Sequence, residues 1–522
     1  MAPKFYCYLA ILLATSLYCD AYKILIISSM PGRSHAILGD GMVRHLTKAG
    51  HEVTIITSMP EDKPAPNARE IDVGEEIRNF LNDDVNIQKI MEKDIDDMNL
   101  YLLFTMMKEI SIKTLENPNM QKILNDPKEK FDLIIAEWMF NELYAGLPAI
   151  FECPFIWFST VEPHWLILRI IDELPNPAYN LNVVSYNSPP FTFMQRVQEL
   201  FCQISGEFYQ YFVFSPIENK DYEQIIAPIV RKRGKSVPSF EELKNNISLV
   251  LGNSHVSIGQ ATRLPQSYKP IAGYHIEKEV KPLPQNLKKI MDSAKNGVIY
   301  FSLGSNLKSK ELPIEIKRSL LKVFGELKQT VIWKFEENLP DRPKNVHILQ
   351  WAPQQSILAH PNCVLFITHG GFLSSTETIH FGVPIIGIPV YGDQFSNINR
   401  AVKKGYAKKV DLTYSVADDL KVAINDILSD PKYKKRVKEL SFIYHDRPVS
   451  PGDELVHWVE HVIRTGGALH LRSPALDVTW YKKMYLDLVA VIFIVFAIFI
   501  LFYKLLIKKC LSSKCDIEKK RK

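Results

Sequence analysis

Three places in the sequence bring together residue types that can do chemistry. Residues 364–368 form a short apolar run of β-formers, the pattern of a strand buried on both faces. His369, Gly370 and Gly371 then turn the chain tightly into a helical stretch, 374–381, which Gly382 and Pro384 stop. A Gly-Gly turn lets a ligand approach the backbone closely, and the helix start offers unpaired N–H groups at the positive dipole end. That combination suits a diphosphate. Far upstream, His35 follows the carboxyl end of another apolar run, 22–29, where open α/β sheets carry their sites. An imidazole there can act as a general base near neutral pH. Glu137 closes the run 131–136 at the same kind of end, and its carboxylate can orient such an imidazole and stabilise its charged form. The plain alternatives are an exposed residue in a helix's first turn for His35 and a structural or ligand-contacting carboxylate for Glu137.

The elements that must position these residues are legible in order. Strand 22–29, helix 36–49 stopped by Gly50, and strand 53–57 make a βαβ unit, which predicts a parallel sheet with right-handed crossovers. Residues 60–84 are polar and proline-rich and read as a surface excursion; 85–126 read as helical. Residues 249–253 read as the last strand of the first half. Four prolines mark 265–284 as an interdomain linker. A second βαβ series follows, with strands at 297–303, 331–335, 346–349, 364–368, 385–388 and 407–410, and Gly304-Ser305 as its first turn. Ser415 to Asp418 has the pattern of a capping box, Asp430-Pro431 opens a helix, and 454–464 is amphipathic. Phe193, Val197, Leu200, Phe201, Ile204, Phe208, Tyr211 and Phe212 fall on one helical stripe. It reads as a core-facing helix, with a ligand-pocket lining or a membrane-surface contact as the alternatives.

The stretch W-A-P-Q-Q-S-I-L-A-H-P from Trp351, the H-G-G-F-L-S-S-T-E-T-I-H-F-G-V-P from His369 and the G-D-Q ending at Gln394 are more specific together than any one turn. They resemble the signature of the UDP-glycosyltransferases, in particular the membrane-bound animal group of glucuronosyltransferases and insect glucosyltransferases. F-G-V-P-I-I-G-I-P with G-D-Q is most similar to the insect wording. The likeness runs from His35 to the C-terminal lysines. It implies an α/β fold of the GT-B type: two facing Rossmann-like doubly wound domains plus a C-terminal transmembrane helix. The expected division is a signal peptide at 1–21, an acceptor-binding domain at 22–264, the linker at 265–284 and a UDP-sugar-binding domain at 285–445. A return helix and membrane-proximal segment at 446–484, a transmembrane helix at 485–507 and a cytoplasmic tail at 508–522 complete it.

The resemblance also implies roles. Glycosyl transfer needs a base for the acceptor's proton, a stabilised diphosphate and an oriented sugar. His35 matches the family's base; Glu137 stands where the family has an aspartate, a departure in length. His369, Gly370 and Gly371 match the diphosphate contacts, with Ser305 and Arg263. Trp351 would stack on uracil, Gln354 would bond near it, and Glu377 would hold the ribose hydroxyls. Glu377 has a second reading, because Ser374-x-x-Glu377 is itself a capping-box pattern. Asp393 and Gln394 would bind the sugar. Leu373 occupies a place where some members carry asparagine. No metal or other cofactor is expected, since the helix dipole, histidine and arginine can carry the leaving group. Asp94-Ile95-Asp96 spells the metal motif of a different glycosyltransferase architecture, but its charged surroundings read as a solvated helix face.

Composition agrees with a globular chain of two domains. The 522 residues are 46% hydrophobic and 23% charged with a net charge of +5, and eight basic residues crowd into 504–522. The rest is near neutral, so nucleic acid is not an expected partner. Seven cysteines without metal-type spacing read as leader, tail and buried free thiols: Cys7, Cys19, Cys510 and Cys515 at the ends, Cys153, Cys202 and Cys363 within. Lys4 and the apolar run after it read as a signal peptide. The uncharged run 488–503 and its flanks read as one membrane helix with the basic tail on the cytoplasmic side. Lys519 to Lys522 resemble a C-terminal di-lysine retrieval signal. The expected setting is the endoplasmic reticulum membrane, type I, with the body lumenal and Asn246-Ile247-Ser248 as a glycosylation sequon. The expected partners are a UDP-sugar donor and a small lipophilic acceptor, and a homo-oligomer is compatible. Two rival functions are a catalytically inactive carrier of hydrophobic ligands and a transferase for protein or lipid glycans.

Overall fold

The computed structural model describes residues 21–80, 91, 100–182, 185, 187, 189–305 and 307–519. The leader apart from its last residue, the Asp94-Ile95-Asp96 stretch and the last three residues lie outside the described residues. Among the described residues, thirteen strands form two all-parallel sheets. The first holds β1 (Lys23–Ser28), β2 (Glu52–Thr57), β3 (Ala68–Asp72), β4 (Leu133–Glu137), β5 (Phe155–Ser159), β6 (Leu249–Gly252) and β7 (Tyr268–Pro270), in the order 3-2-1-4-5-6-7. The second holds β8 (Val298–Ser302), β9 (Thr330–Lys334), β10 (Val346–Leu349), β11 (Cys363–Thr368), β12 (Ile385–Gly387) and β13 (Ala407–Lys409), in the order 10-9-8-11-12-13.

Both orders reverse direction at one point, between β1 and β4 and between β8 and β11. A doubly wound sheet opens a crevice at the carboxyl ends of those two strands. His35 follows β1 and Glu137 ends β4; Ser305 follows β8 and His369 follows β11. The expected doubly wound pair is therefore present, with the chemistry-bearing residues at its two switch points. The strands are buried on both faces, as parallel sheets require. In β1, Ile24 and Ile26 enter one core while Leu25 and Ile27 enter the other, all at 2% exposure or less. In β8 the split is Ile299 and Phe301 against Val298 and Tyr300.

Several expectations need correcting. The polar stretch 60–84 contains β3, whose half-exposed edge position lets Ala-Arg-Glu-Ile-Asp pair without an apolar pattern. The run 249–253 is not the last strand of the first half, because β7 follows it inside the stretch read as a linker. Ile271 and Tyr274 pack in the core of the first sheet and Ala272 in that of the second. The connection is thus buried and binds both halves. Ser415 gives no capping bond to its helix; its hydroxyl instead bonds Asp419 Oδ2 at 2.8 Å.

Seven helices matter here. Helix α1 (Arg33–Lys48) follows β1. Helix α2 (Phe193–Tyr209) starts with a complete capping box between Thr192 and Gln195. Its aromatic stripe does not face a core. Phe193, Phe201 and Phe208 are exposed, while Glu199, Gln203 and Gly206 are buried. Helices α3 (Gln354–Ala359), α4 (Phe372–Phe381) and α5 (Gln394–Lys404) belong to the second sheet. Helix α6 (Pro451–Arg464) crosses back to the first sheet, where Leu455, Val459 and Val462 share a core with Leu38, Met42 and Leu46 of α1. The chain up to Arg472 is one compact unit, and Ser473 onward is another. The second unit contains α7 (Leu486–Lys519), whose 24-residue apolar window, Leu486–Lys509, is exposed and reaches a mean hydropathy of 2.9 over 18 residues. At about 1.5 Å per residue that window is about 36 Å long, enough for a hydrocarbon core of about 30 Å. It is a candidate membrane span.

Candidate active site

A cleft of about 500 Å³ gathers residues from both switch points. His35, Ser305, Trp351, Gln354, His369, Gly371, Glu377, Asp393 and Gln394 all line it. Glu137 lies behind His35, and Gly370 lies buried beside Gly371. Arg263 is not brought there: it stands exposed on the loop after β6. A buried cation from a strand end lines the cleft instead. Lys334, the last residue of β9, donates to Gly304 O at 2.9 Å and Glu336 Oε1 at 2.7 Å. The signal was a lone lysine closing the run Thr-Val-Ile-Trp-Lys.

At the first switch point the imidazole of His35 pairs through Nδ1 with Glu137 Oε1. Ser28 Oγ donates to the carboxylate's other oxygen at 3.4 Å. The longer glutamate side chain therefore reaches the histidine from the end of β4. Burial by itself would lower the His35 pKa, but the Glu137 charge and hydrogen bond, with Asp393 adding to them, raise it above the ordinary 6.5. A carboxylate on Nδ1 fixes the tautomer and leaves Nε2 as the basic nitrogen. Asp393 is itself raised, mainly by burial, against a 2.8 Å bond from Asn397 Nδ2 and the charges of Arg400 and His35.

The second switch point is built around one ring. His369 packs between two glycines: a Cβ on Gly304 would come within 2.5 Å of its Cε1, and one on Gly371 within 2.7 Å of its Nε2. Gly304 and Gly370 also hold φ near +88° and +87°, which other residues rarely adopt. Burial, then the Lys334 charge, lowers the His369 pKa to about 4, so the ring is neutral at physiological pH. Its Nδ1 is buried without a protein partner. Helix α4 starts at the N-cap Gly371 with no side-chain cap, so its first N–H groups remain for an anion at the cleft. A neutral ring, a lysine and a bare helix start together can bind a diphosphate.

Glu377 is not a capping residue, since α4 begins at Phe372 and places Ser374 inside its first turn. It accepts from Gln354 Nε2 at 2.6 Å and Gln355 Nε2 at 3.0 Å. Trp351 stands at the rim, 59% exposed, with Lys334 Nζ 5.9 Å from its ring centroid. Gln394 has a structural part that the sequence did not suggest: its Oε1 accepts from the backbone N–H of Val390 and Tyr391 at 2.9 and 3.2 Å. Leu373 lines the cleft in place of a polar side chain. Asn246 is exposed at the end of helix Phe240–Asn245.

Comparison with known proteins agrees with this geometry. The family model described as UDP-glucoronosyl and UDP-glucosyl transferase matches residues 23–521. UDP-glucosyltransferase 2 of Dactylopius coccus is 31% identical over 518 residues, covering 98% of each chain. UDP-glucuronosyltransferase 2B14 of Oryctolagus cuniculus is 31% identical over 402 residues, covering 74% of this chain and 73% of that one. Among solved structures, the calicheamicin glycosyltransferase superposes with a TM-score of 0.57 at 14% identity, over 85% of this chain and 99% of that one. A UDP-glucosyltransferase from Polygonum tinctorium gives 0.53 at 13%, over the same shares. These structures establish the GT-B fold, and the sequence matches establish more: the chain belongs to the UDP-glycosyltransferase family, enzymes that transfer a sugar from a UDP-sugar.

Proposed function

We propose that the chain transfers a hexose from its UDP-sugar to a hydroxyl of a small lipophilic acceptor, with inversion at the anomeric carbon. Glucose is the favoured hexose, on the insect-like wording around Asp393, with glucuronic acid the second choice. The observation that carries the mechanism is the His35–Glu137 pair opening on the same cleft as Asp393. His35 Nε2 takes the acceptor's proton as that oxygen attacks the anomeric carbon and UDP leaves from the opposite face. Glu137 holds the ring and stabilises the imidazolium that forms. Asp393, with Gln394 bracing the turn beside it, orients the sugar hydroxyls. The start of α4, His369 and Lys334 receive the diphosphate, and this set of donors and charges requires no metal. Trp351 stacks on uracil and Glu377 receives the ribose hydroxyls. The body is placed in the lumen of the endoplasmic reticulum, anchored by the Leu486–Lys509 window.

The test is turnover by His35→Ala. The expected loss is about 10²–10⁴-fold for an alcohol acceptor, the usual size of a general-base effect. UDP affinity is expected to survive, because its proposed contacts lie on the second sheet. An α-linked donor is expected to give a β-linked product. Near-normal turnover, or a product of retained configuration, overturns the mechanism. Absence of both transfer and UDP-sugar hydrolysis in the unaltered chain favours the inactive carrier instead.

A further inference from the structure

Helix α2 is inside out. Its buried side is polar and firmly held. Glu199 accepts from the Asn182 N–H at 2.9 Å, from Asn187 Nδ2 at 2.8 Å and from the Ser185 hydroxyl. Gln203 Nε2 donates to Pro175 O at 3.0 Å. Gly206 packs against the Trp165 ring, where a Cβ would approach within 2.4 Å. Turning the helix to bury its stripe would break all three contacts. The outer side, continued through the helical turn Gln210–Phe214, is apolar and bare. Phe193, Phe201, Ile204, Phe208, Tyr211 and Phe212 are 57–72% exposed. Between Val197 and Phe212 the only acidic or basic side chains are Glu199, which is buried, and Glu207, which faces Arg169 at 3.7 Å. At about 1.5 Å per residue the stretch from Val197 to Phe212 is roughly 24 Å long.

We propose that this face of α2 lies on a lipid bilayer surface, as a second and peripheral membrane contact apart from the candidate span. Its composition is that of an interfacial helix: phenylalanine and tyrosine outward, with Arg196 at one end placed to reach lipid phosphates. The tether is short. Only residues 473–485 separate the compact body from Leu486, and thirteen residues reach at most about 45 Å. A second copy of the chain fits less well. The face offers ten exposed apolar side chains, whereas a stable protein interface takes about 20–30 residues a side. It also lacks the charges that set register between protein partners.

The experiment places the photoreactive benzoyl-phenylalanine at Phe201 and at Phe208 in the full chain, reconstituted in phosphatidylcholine vesicles with an anionic lipid. Val422, 62% exposed on the helix Val416–Ser429, is the control position. Irradiation is expected to give lipid adducts at Phe201 and Phe208 severalfold above Val422. Adducts to a second copy of the chain, or lipid adducts no higher than at Val422, overturn the proposal. A second variant, Phe201→Asp with Phe208→Asp, keeps it falsifiable if the reagent distorts the helix. That chain is expected to keep its UDP affinity and to lose lipid crosslinking at Tyr211. Unchanged crosslinking at Tyr211 also overturns it.

Discussion

His35 lies between two carboxyl groups, Glu137 behind it and Asp393 across the cleft, and this arrangement has a consequence for pH. Only the neutral imidazole is a base, so turnover is present above its pKa and lost as pH falls through it. Burial works against the charged ring, but the two carboxylates more than offset it and raise the pKa above 6.5. The acid limb of the rate profile is therefore expected above pH 6.5. Glu137→Gln removes the main raising influence and leaves burial, so the limb is expected to move to lower pH while turnover also falls. Asp393→Asn removes a smaller contribution and is expected to move the limb in the same direction by less. Rate profiles of the three proteins check this; a limb that stays in place in Glu137→Gln means that another group titrates. Much of this site was legible from residue types at strand ends. The length of glutamate was the departure, and its carboxylate reaches the His35 ring from the end of β4. Arg263 and Lys334 were not separable in sequence, because a lysine that ends a buried strand is indistinguishable from one on a surface until the strand order is known.

At the scale of elements, the second switch point depends on two turns meeting at one ring. Gly304 ends the turn after β8 and Gly371 caps α4, and the His369 ring fills the space between them. Gly304→Ala puts a methyl group within 2.5 Å of that ring and strains a φ of +88°. A residue held in the left-handed region costs about 1–3 kcal/mol, and the displaced ring adds to it. UDP affinity is expected to fall while the His35 pair on the other sheet is untouched; calorimetric titration with UDP measures it, and unchanged affinity means the ring does not serve the diphosphate. Strands buried on both faces were plain in the sequence, and all six of the second sheet fall within a residue or two of their expected places. The misses share a cause. β3 is an edge strand and needs no apolar pattern, and β7 is three residues long with a proline at its end. The α2 stripe was read correctly as a periodic face but assigned to the wrong side. Periodicity reports that a helix has two unlike faces; which one is buried depends on partners such as Asn182 and Asn187, which the stripe does not reveal.

The chain closes on itself before the candidate span begins. Helix α6 returns to α1 and buries Leu455, Val459 and Val462 at 0% exposure. Each such side chain contributes about 1.5–3 kcal/mol, so the three together rival the 5–15 kcal/mol that keeps a domain folded. A chain that stops before Pro451 is therefore expected to aggregate. A chain that stops at Arg472 keeps that core whole and lacks the only candidate span among the described residues. The full chain is expected to stay with membranes through an alkaline wash, and the chain ending at Arg472 to be released by it. The exposed face of α2 provides a separate reason for pelleting, so the shortened chain is also tested with Phe201→Asp and Phe208→Asp. If both shortened forms still pellet after the wash, a further integral segment exists and the single-span reading fails. If only the form with the intact face pellets, the face alone holds the body to lipid strongly enough to survive the wash. If both are released and bind UDP with the affinity of the full chain, the two sheets and α6 make a complete donor site without the anchor.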